Sequence, residues 1–314
     1  MTQKRFFSQV KPNRALLILL FALLIGLFIK NAAFAAGHVR RALLLCAQTV
    51  IPSIFPCTVI SGIFVALGGG KLVGELLQAP ARALFGISGT GASVLLLGWF
   101  CGFPVGAVTG AELVRRGELG KDELSRLMLF ANIPSPAFVI SAVGESMLGD
   151  KSAGIALYLT LLSVAVLTGI IQRFVYGSNA QKAGNASEII STENPIVSSL
   201  CSSGISMLNL CSNIVFFSVI TEITLSIFSF SSPFFPALLH GIFELSGGCS
   251  AASTLDITLA LPLCAFILGW SGFGVHFQII SACGHQKNLP AYFFVKLLQG
   301  IVCAAALVVF RLTL

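Results

Sequence analysis

The chain has 314 residues, of which 56% are hydrophobic and 10% charged, and its formal net charge is +7. A soluble domain carries about 25% charged residues, so this composition, with a mean hydropathy of +0.93, excludes a soluble enzyme and points to an all-α polytopic membrane protein. The Lys and Arg residues lie at the ends of apolar segments and in short loops, where they set orientation across a bilayer, and they do not mark a nucleic-acid partner.

In chain order, residues 1–36 hold an N-terminal membrane helix. Lys4, Arg5, Lys11 and Arg14 precede its apolar run and place the N-terminus on the cytoplasmic side. Ala33-Phe34-Ala35 after that run also resembles a signal-peptide cleavage site; the length of the run favours an uncleaved helix. Segments 15–36, 43–67, 153–174 and 291–312 each supply the roughly 20 apolar residues of a spanning helix. Segments 84–110, 127–148, 196–228, 233–245 and 254–283 are apolar but interrupted, and the total reads as seven to nine spans. The charged stretch 112–126 reads as a solvated turn entering the next helix. Residues 177–195 form a polar linker between a first unit, 37–176, and a second, 196–314.

The two units look like copies. Each contains one of the two tryptophans in a similar phrase, Gly98-Trp99-Phe100-Cys101-Gly102-Phe103-Pro104-Val105 and Gly269-Trp270-Ser271-Gly272-Phe273-Gly274-Val275. Beyond the phrases, Leu119 matches Leu289, Arg126 matches Lys296 and Leu127 matches Leu297. Upstream, Phe85-Gly86-Ile87-Ser88-Gly89 echoes Phe243-Glu244-Leu245-Ser246-Gly247, and the second copy carries an extra half-span around 256–266. Positive charge near 115–126 exceeds that near 284–296, which favours inverted repeats with broken or re-entrant helices.

Such breaks are tolerated at membrane depth only where they are buried in protein or line a cavity, and in duplicated transporters the substrate binds where they meet. Gly102, Phe103, Pro104 and Gly106 form one candidate site element, and Gly272, Phe273 and Gly274 the other. Free helix N-termini at the breaks would suit an anionic group; a kinked helix packed by small residues is the plainer alternative. Asn132 and Ser135 flank a third break at Ile133-Pro134-Ser135-Pro136, where they would bond a substrate or cap freed backbone. Glu244 stands in an apolar run with His240 one helical turn before it, as a proton carrier, a cation ligand or the partner of His240. Ser246, His276 and Gln278 complete the candidate substrate-binding set. The nine cysteines include no C-x-x-C pair, and no metal site, disulfide framework or cofactor is expected. Enzyme motifs are missing, so the chain is not read as an enzyme.

At these residues the chain resembles a known family. Ile51-Pro52-Ser53-Ile54-Phe55-Pro56, Gly102-Phe103-Pro104-Val105-Gly106-Ala107 and Ala131-Asn132-Ile133-Pro134-Ser135-Pro136 look like the YlbJ-type sporulation integral membrane proteins (stage V sporulation protein V). Gly241-Ile242-Phe243-Glu244-Leu245-Ser246-Gly247-Gly248 and Gly272-Phe273-Gly274-Val275-His276-Phe277-Gln278 continue the likeness, which covers the chain from about residue 40. The resemblance implies a place in the nucleoside-recognition, or gate-domain, group, and a protein of the bacterial cytoplasmic membrane. In a sporulating cell that would be the outer forespore membrane. It implies transport of dipicolinic acid, with helix N-termini on its carboxylates and Phe103 and Phe273 beside its ring. Two other readings stay open: an ion-coupled nucleoside transporter, and a non-transporting scaffold in spore envelope assembly. The expected partners are a small-molecule substrate and the lipid bilayer, with a homo-oligomer open.

Overall fold

The computed structural model describes residues 12–30, 32–103, 105–177, 194–228, 230–283 and 289–312. Lys4, Arg5, Lys11, Pro104, nearly all of the linker and the turn at 284–288 lie outside them. The described residues are helical, without strands. The helices are α1 (Pro12–Lys30), α2 (Ala32–Leu45), α3 (Ile51–Ala66), α4 (Gly69–Phe85), α5 (Gly89–Cys101), α6 (Val105–Arg115) and α7 (Lys121–Leu127). A wide, π-helical segment (Ala137–Met147) leads into α8 (Lys151–Tyr176). Then come α9 (Pro195–Ile227), α10 (Phe234–Phe243), α11 (Leu245–Ala252), α12 (Ile257–Trp270), α13 (Gly272–Cys283) and α14 (Leu289–Leu312).

Among the described residues, five helices are long and apolar enough to cross a membrane. A sixth span results if α4 and α5, bent by 87°, are counted as one. The sequence suggested seven to nine because it counted interrupted segments as spans. Here the interruptions are real: 127–148 and 233–245 become short helices that end inside the protein.

Residues 32–66 run as one helix through a π-helical turn at Cys46–Val50. Pro52 follows directly; it donates no backbone hydrogen bond, and a widened turn is the usual response. The Ser53 hydroxyl donates to Thr49 O at 2.7 Å and Val50 O at 3.0 Å, satisfying carbonyls there. This helix packs antiparallel on α9: Ala35 meets Val219 and Ile223, Cys46 meets Cys211, and Gly62 faces Ser199. Each helix opens one of the two sequence units, so first helices cross antiparallel, as inverted copies require. Cys46-Ala-Gln-Thr-Val50 and Cys211-Ser-Asn-Ile-Val215 are also alike, and their cysteines touch at the crossing. A variant keeping only these two cysteines, with a protease site inserted between 177 and 194, is expected to stay joined after cleavage when treated with a short thiol crosslinker. Separated fragments on a denaturing gel would rule out this register.

The two units share one core, built from residues 81–165 and 237–307. The matched basic residues do matching work. Arg126 donates from Nη2 to Phe85 O at 3.3 Å, and Lys296 from Nζ to Asn132 O at 2.9 Å. Each places a cation on a carbonyl where the chain enters a break, the favourable end of the helix dipole. The stretch 112–126 is therefore not simply solvated: Arg126 and Glu123 are buried. Glu123 accepts from Ser88 N at 2.6 Å at the start of α5. Burial pushes its carboxyl above the ordinary range, opposed by that amide and by Arg126.

The echoed pair Ser88 and Ser246 end alike. Ser246 N donates to a carboxylate at 2.8 Å, supplied in place by Glu244, whereas Ser88 takes Glu123 from α7. The extra half-span read around 256–266 falls within α12, which ends at Trp270; the element with no counterpart between Phe85 and Trp99 is the short helix before it, α11. A further likeness was not legible in sequence. Asp150 and Asp256 cap α8 and α12 identically, each accepting from the amide (2.8 Å) and hydroxyl (2.6 Å) two residues on.

Candidate functional site

The Trp phrases build two breaks. Gly102 closes α5 at φ 77°, ψ −176°, a region essentially restricted to glycine. A side chain there would meet Ser135, whose backbone N lies 2.6 Å from the missing Cβ. Trp99 secures the approach by donating from Nε1 to Phe130 O at 2.8 Å, while Tyr158 OH donates to Trp99 O at 2.9 Å. Gly98 and Gly106 lie in contact with each other, against Ala131 and Asn132.

The second break is built on the same plan with one residue fewer between the tryptophan and the glycine. Ser271 and Gly272 both take positive φ, 77° and 76°. Gly272 lies over Leu245 N and Phe243 O, at 3.2 and 3.3 Å from its missing Cβ. Trp270 Nε1 donates to Ile242 O at 3.0 Å. Each tryptophan thus fixes its own break to the break opposite: Gly102 against Ser135, and Gly272 against Glu244-Leu245.

A cavity of about 20 Å³, the room of one water molecule, remains where they meet. Phe103, Pro134, Ser135 and Phe138 line it from the first unit, and Glu244, Leu245, Ser246, Gly274, Val275 and Gln278 from the second. Val50 and Ile54 close one side; Leu210, Asn213 and Ile214 close another. A larger vestibule of about 610 Å³ adjoins it, sharing Leu210, Asn213 and Gln278 and walled further by Ser206, Asn209, Ser212 and Ser281. Hydroxyls and amides thus lead from the surface of α9 and α13 to the closed centre.

Of the residues singled out in the sequence, Phe103, Ser135, Glu244, Ser246, Gly274 and Gln278 line the cavity. Gly102, Gly106 and Gly272 shape its walls without lining it. Asn132 is fully buried behind the wall, its Nδ2 donating to Met128 O at 3.3 Å and its carbonyl accepting from Lys296. Phe273 and His276 belong to an aromatic cluster with Trp270, Tyr292 and Phe293, where His276 Nδ1 and Tyr292 OH are 2.9 Å apart.

Two expectations change. The helix N-termini facing the third and fourth breaks are capped by the chain itself. Glu244 accepts from Ser246 N and Gly247 N, and Ser135 Oγ accepts from Phe138 N at 3.2 Å. The first turn of α13, at Gly274 and Val275, borders the cavity together with the capped start of α11 at Leu245 and Ser246. Secondly, His240 makes its ion pair with Glu222 on α9, at 3.3 Å, rather than with Glu244. His38 joins the same Glu222 oxygen at 3.0 Å. The chain leaves the helix at Glu244 (φ −142°, ψ 124°), so helical spacing from His240 no longer sets where that carboxylate points.

Phe138, Asn213 and Lys296 escaped the sequence reading. The match of Lys296 to Arg126 was the available signal for the last. Asn209 and Asn213, one turn apart in an apolar helix, were the signal for Asn213. Nothing in sequence distinguishes Phe138 from the other phenylalanines. Among the described residues, no group of His, Cys, Asp and Glu side chains is arranged to hold a metal ion.

No family model and no solved structure matches the chain. It is similar to the sporulation integral membrane protein YlbJ of Bacillus subtilis (strain 168), with 25% identity over an alignment covering 94% of this chain and 82% of the relative. The likeness runs over nearly the whole chain and agrees with the resemblance carried by its motifs and with an all-helical membrane fold.

Proposed function

We propose that the protein moves a small anion through the membrane, with dipicolinate, a flat aromatic dicarboxylate, as the substrate of best fit, and that it works in the outer forespore membrane. The observation that carries this reading is the convergence of two glycine-based breaks on one cavity, with a vestibule of mixed polar and apolar lining beside it. The chemistry of the lining suits such a solute. Phe103 and Phe138 offer ring faces. Ser135, Asn213, Ser246 and Gln278 offer hydrogen-bond donors, and the first turn of α13 offers the positive end of a helix dipole. Lys296, 1% exposed behind Asn132, adds a buried positive charge close to the wall.

The cavity has room for one water molecule, so the chain as described is closed around its centre, and substrate entry requires the breaks to part. The vestibule, at about 610 Å³, is within the size of small-molecule sites. The amides of Asn213 and Gln278 are also what a neutral nucleoside would use, which keeps that solute as the comparison.

The test is flux of labelled dipicolinate into liposomes containing the purified protein, with uridine as the second solute. Saturable dipicolinate flux that uridine does not inhibit is expected. Preferential uridine flux would replace the substrate, and no flux of either solute by folded protein would favour the scaffold reading.

A further inference from the structure

We infer that His38, Glu222 and His240 form a proton relay that ends on Glu244 at the central cavity, and that the protein couples solute movement to protons. This rests on the transport reading above. The three side chains come from three helices, α2, α9 and α10, and converge on one oxygen. Glu222 Oε1 lies 3.0 Å from His38 Nδ1 and 3.3 Å from His240 Nε2. All three are largely shielded, with side-chain exposures of 7% for His38, 23% for Glu222 and 14% for His240. Arg41, exposed, closes the outer end, its Nη2 2.9 Å from His38 Nε2. His38 and Arg41 from α2 and His240 from α10 are the charged and titratable groups facing Glu222. Those facing Glu244 are His240 and the Cys46 and Cys249 thiols.

Ionisable groups inside a membrane bundle are costly and usually mark ion or proton paths. A purely structural pair would need one histidine; here two imidazoles share one carboxylate oxygen, the arrangement in which a proton can pass through. The link inward is open because residue 247 is glycine. Its missing Cβ lies 3.1 Å from Glu244 Oε2 and 3.9 Å from His240 Nδ1, so both atoms border the space that the absent side chain leaves free. Glu222 is nine residues beyond Asn213 on α9, about 13 Å of helix rise. The relay therefore approaches the cavity from the end of α9 opposite the vestibule.

The steps conserve charge and atoms. A proton taken up by His38 leaves Nδ1 as that N–H breaks and an O–H forms on Glu222. That O–H breaks as His240 Nε2 is protonated. The Nδ1–H of His240 then passes through one water to Glu244 Oε2. No electrons change hands. Protonated Glu244 is a weaker acceptor for Ser246 N and Gly247 N, so the arriving proton loosens the cap of α11 beside the bound solute.

The experiment uses proteoliposomes with the potential clamped by potassium and valinomycin, an imposed pH difference of one unit, and labelled dipicolinate. Coupling of one proton per solute sustains about tenfold accumulation, because a pH unit and a tenfold gradient are the same free energy. Glu222→Gln and Gly247→Ala are expected to lose this accumulation while still exchanging labelled for unlabelled solute. Accumulation unchanged in both variants, or exchange in the unmodified protein that ignores pH, would overturn the relay and leave transport standing. If no solute moves, the transport reading fails separately. Infrared difference spectra between pH 5 and pH 8 then decide: a carboxyl band lost in Glu244→Gln and shifted in Glu222→Gln retains the relay, and a band that Glu222→Gln leaves unchanged rejects it.

Discussion

Gly102→Ala is expected to abolish solute flux and lower the thermal midpoint in detergent by about 5–10 °C. Two costs combine. The backbone at φ 77°, ψ −176° is a glycine conformation, and forcing a side chain to hold it costs about 1–3 kcal/mol. The new Cβ would then lie 2.6 Å from Ser135 N and 3.1 Å from its Cα, and such overpacking costs about 1–3 kcal/mol more. The clash is with backbone on the facing break, so no side-chain rotation relieves it, and the two breaks must separate at the cavity wall. Gly204→Ala is the control. Its Cβ has nothing within 4 Å, and in a helix alanine is favoured over glycine by about 0.5–1 kcal/mol. Equal loss in both variants would mean that Gly102 has no special place; wild-type flux in Gly102→Ala would remove the break from the mechanism.

Glu244→Ala is expected to have the second large effect, a destabilisation of about 2–4 kcal/mol with flux reduced at least tenfold. The carboxylate accepts from Ser246 N at 2.8 Å and from Gly247 N, and buried amides left without partners cost about 1–3 kcal/mol each. Glu244→Asp separates the structural role from the functional one. Aspartate is a favoured helix cap, so the start of α11 should hold. Its carboxylate is one methylene shorter and withdraws from the space beside Gly247, so flux should fall while the thermal midpoint stays near that of the unmodified chain. If Glu244→Asp transports fully, the cap is all that Glu244 supplies; if Glu244→Ala melts unchanged, the bonds at α11 carry no weight.

Much of the site was legible because irregular backbone in an apolar chain leaves a strong composition signal. Gly102, Ser135, Glu244 and Gly272 each break an apolar run, and membrane depth makes any break conspicuous. What eluded the sequence is what depends on facing directions. His240 and Glu244 are four apart and would share a helix face, yet the chain leaves the helix at Glu244 and His240 turns to Glu222, eighteen residues earlier on another helix. Phe273 and Phe103 both follow the glycine of the repeated phrase, but Ser271 alone separates Trp270 from Gly272 where two residues separate Trp99 from Gly102, and Phe273 sits in the aromatic cluster.

The sequence by itself determined the solvent, the helical class and the positions of the breaks, since these follow from hydropathy and from glycine and proline chemistry, which are local. The tertiary structure alone decided which break faces which, that corresponding helices cross antiparallel at Cys46 and Cys211, and that Glu123, Arg126 and Lys296 are buried partners of backbone. Those are pairings between residues 35 to 165 positions apart, and no periodicity in the chain encodes the direction in which a buried side chain points once a helix is broken.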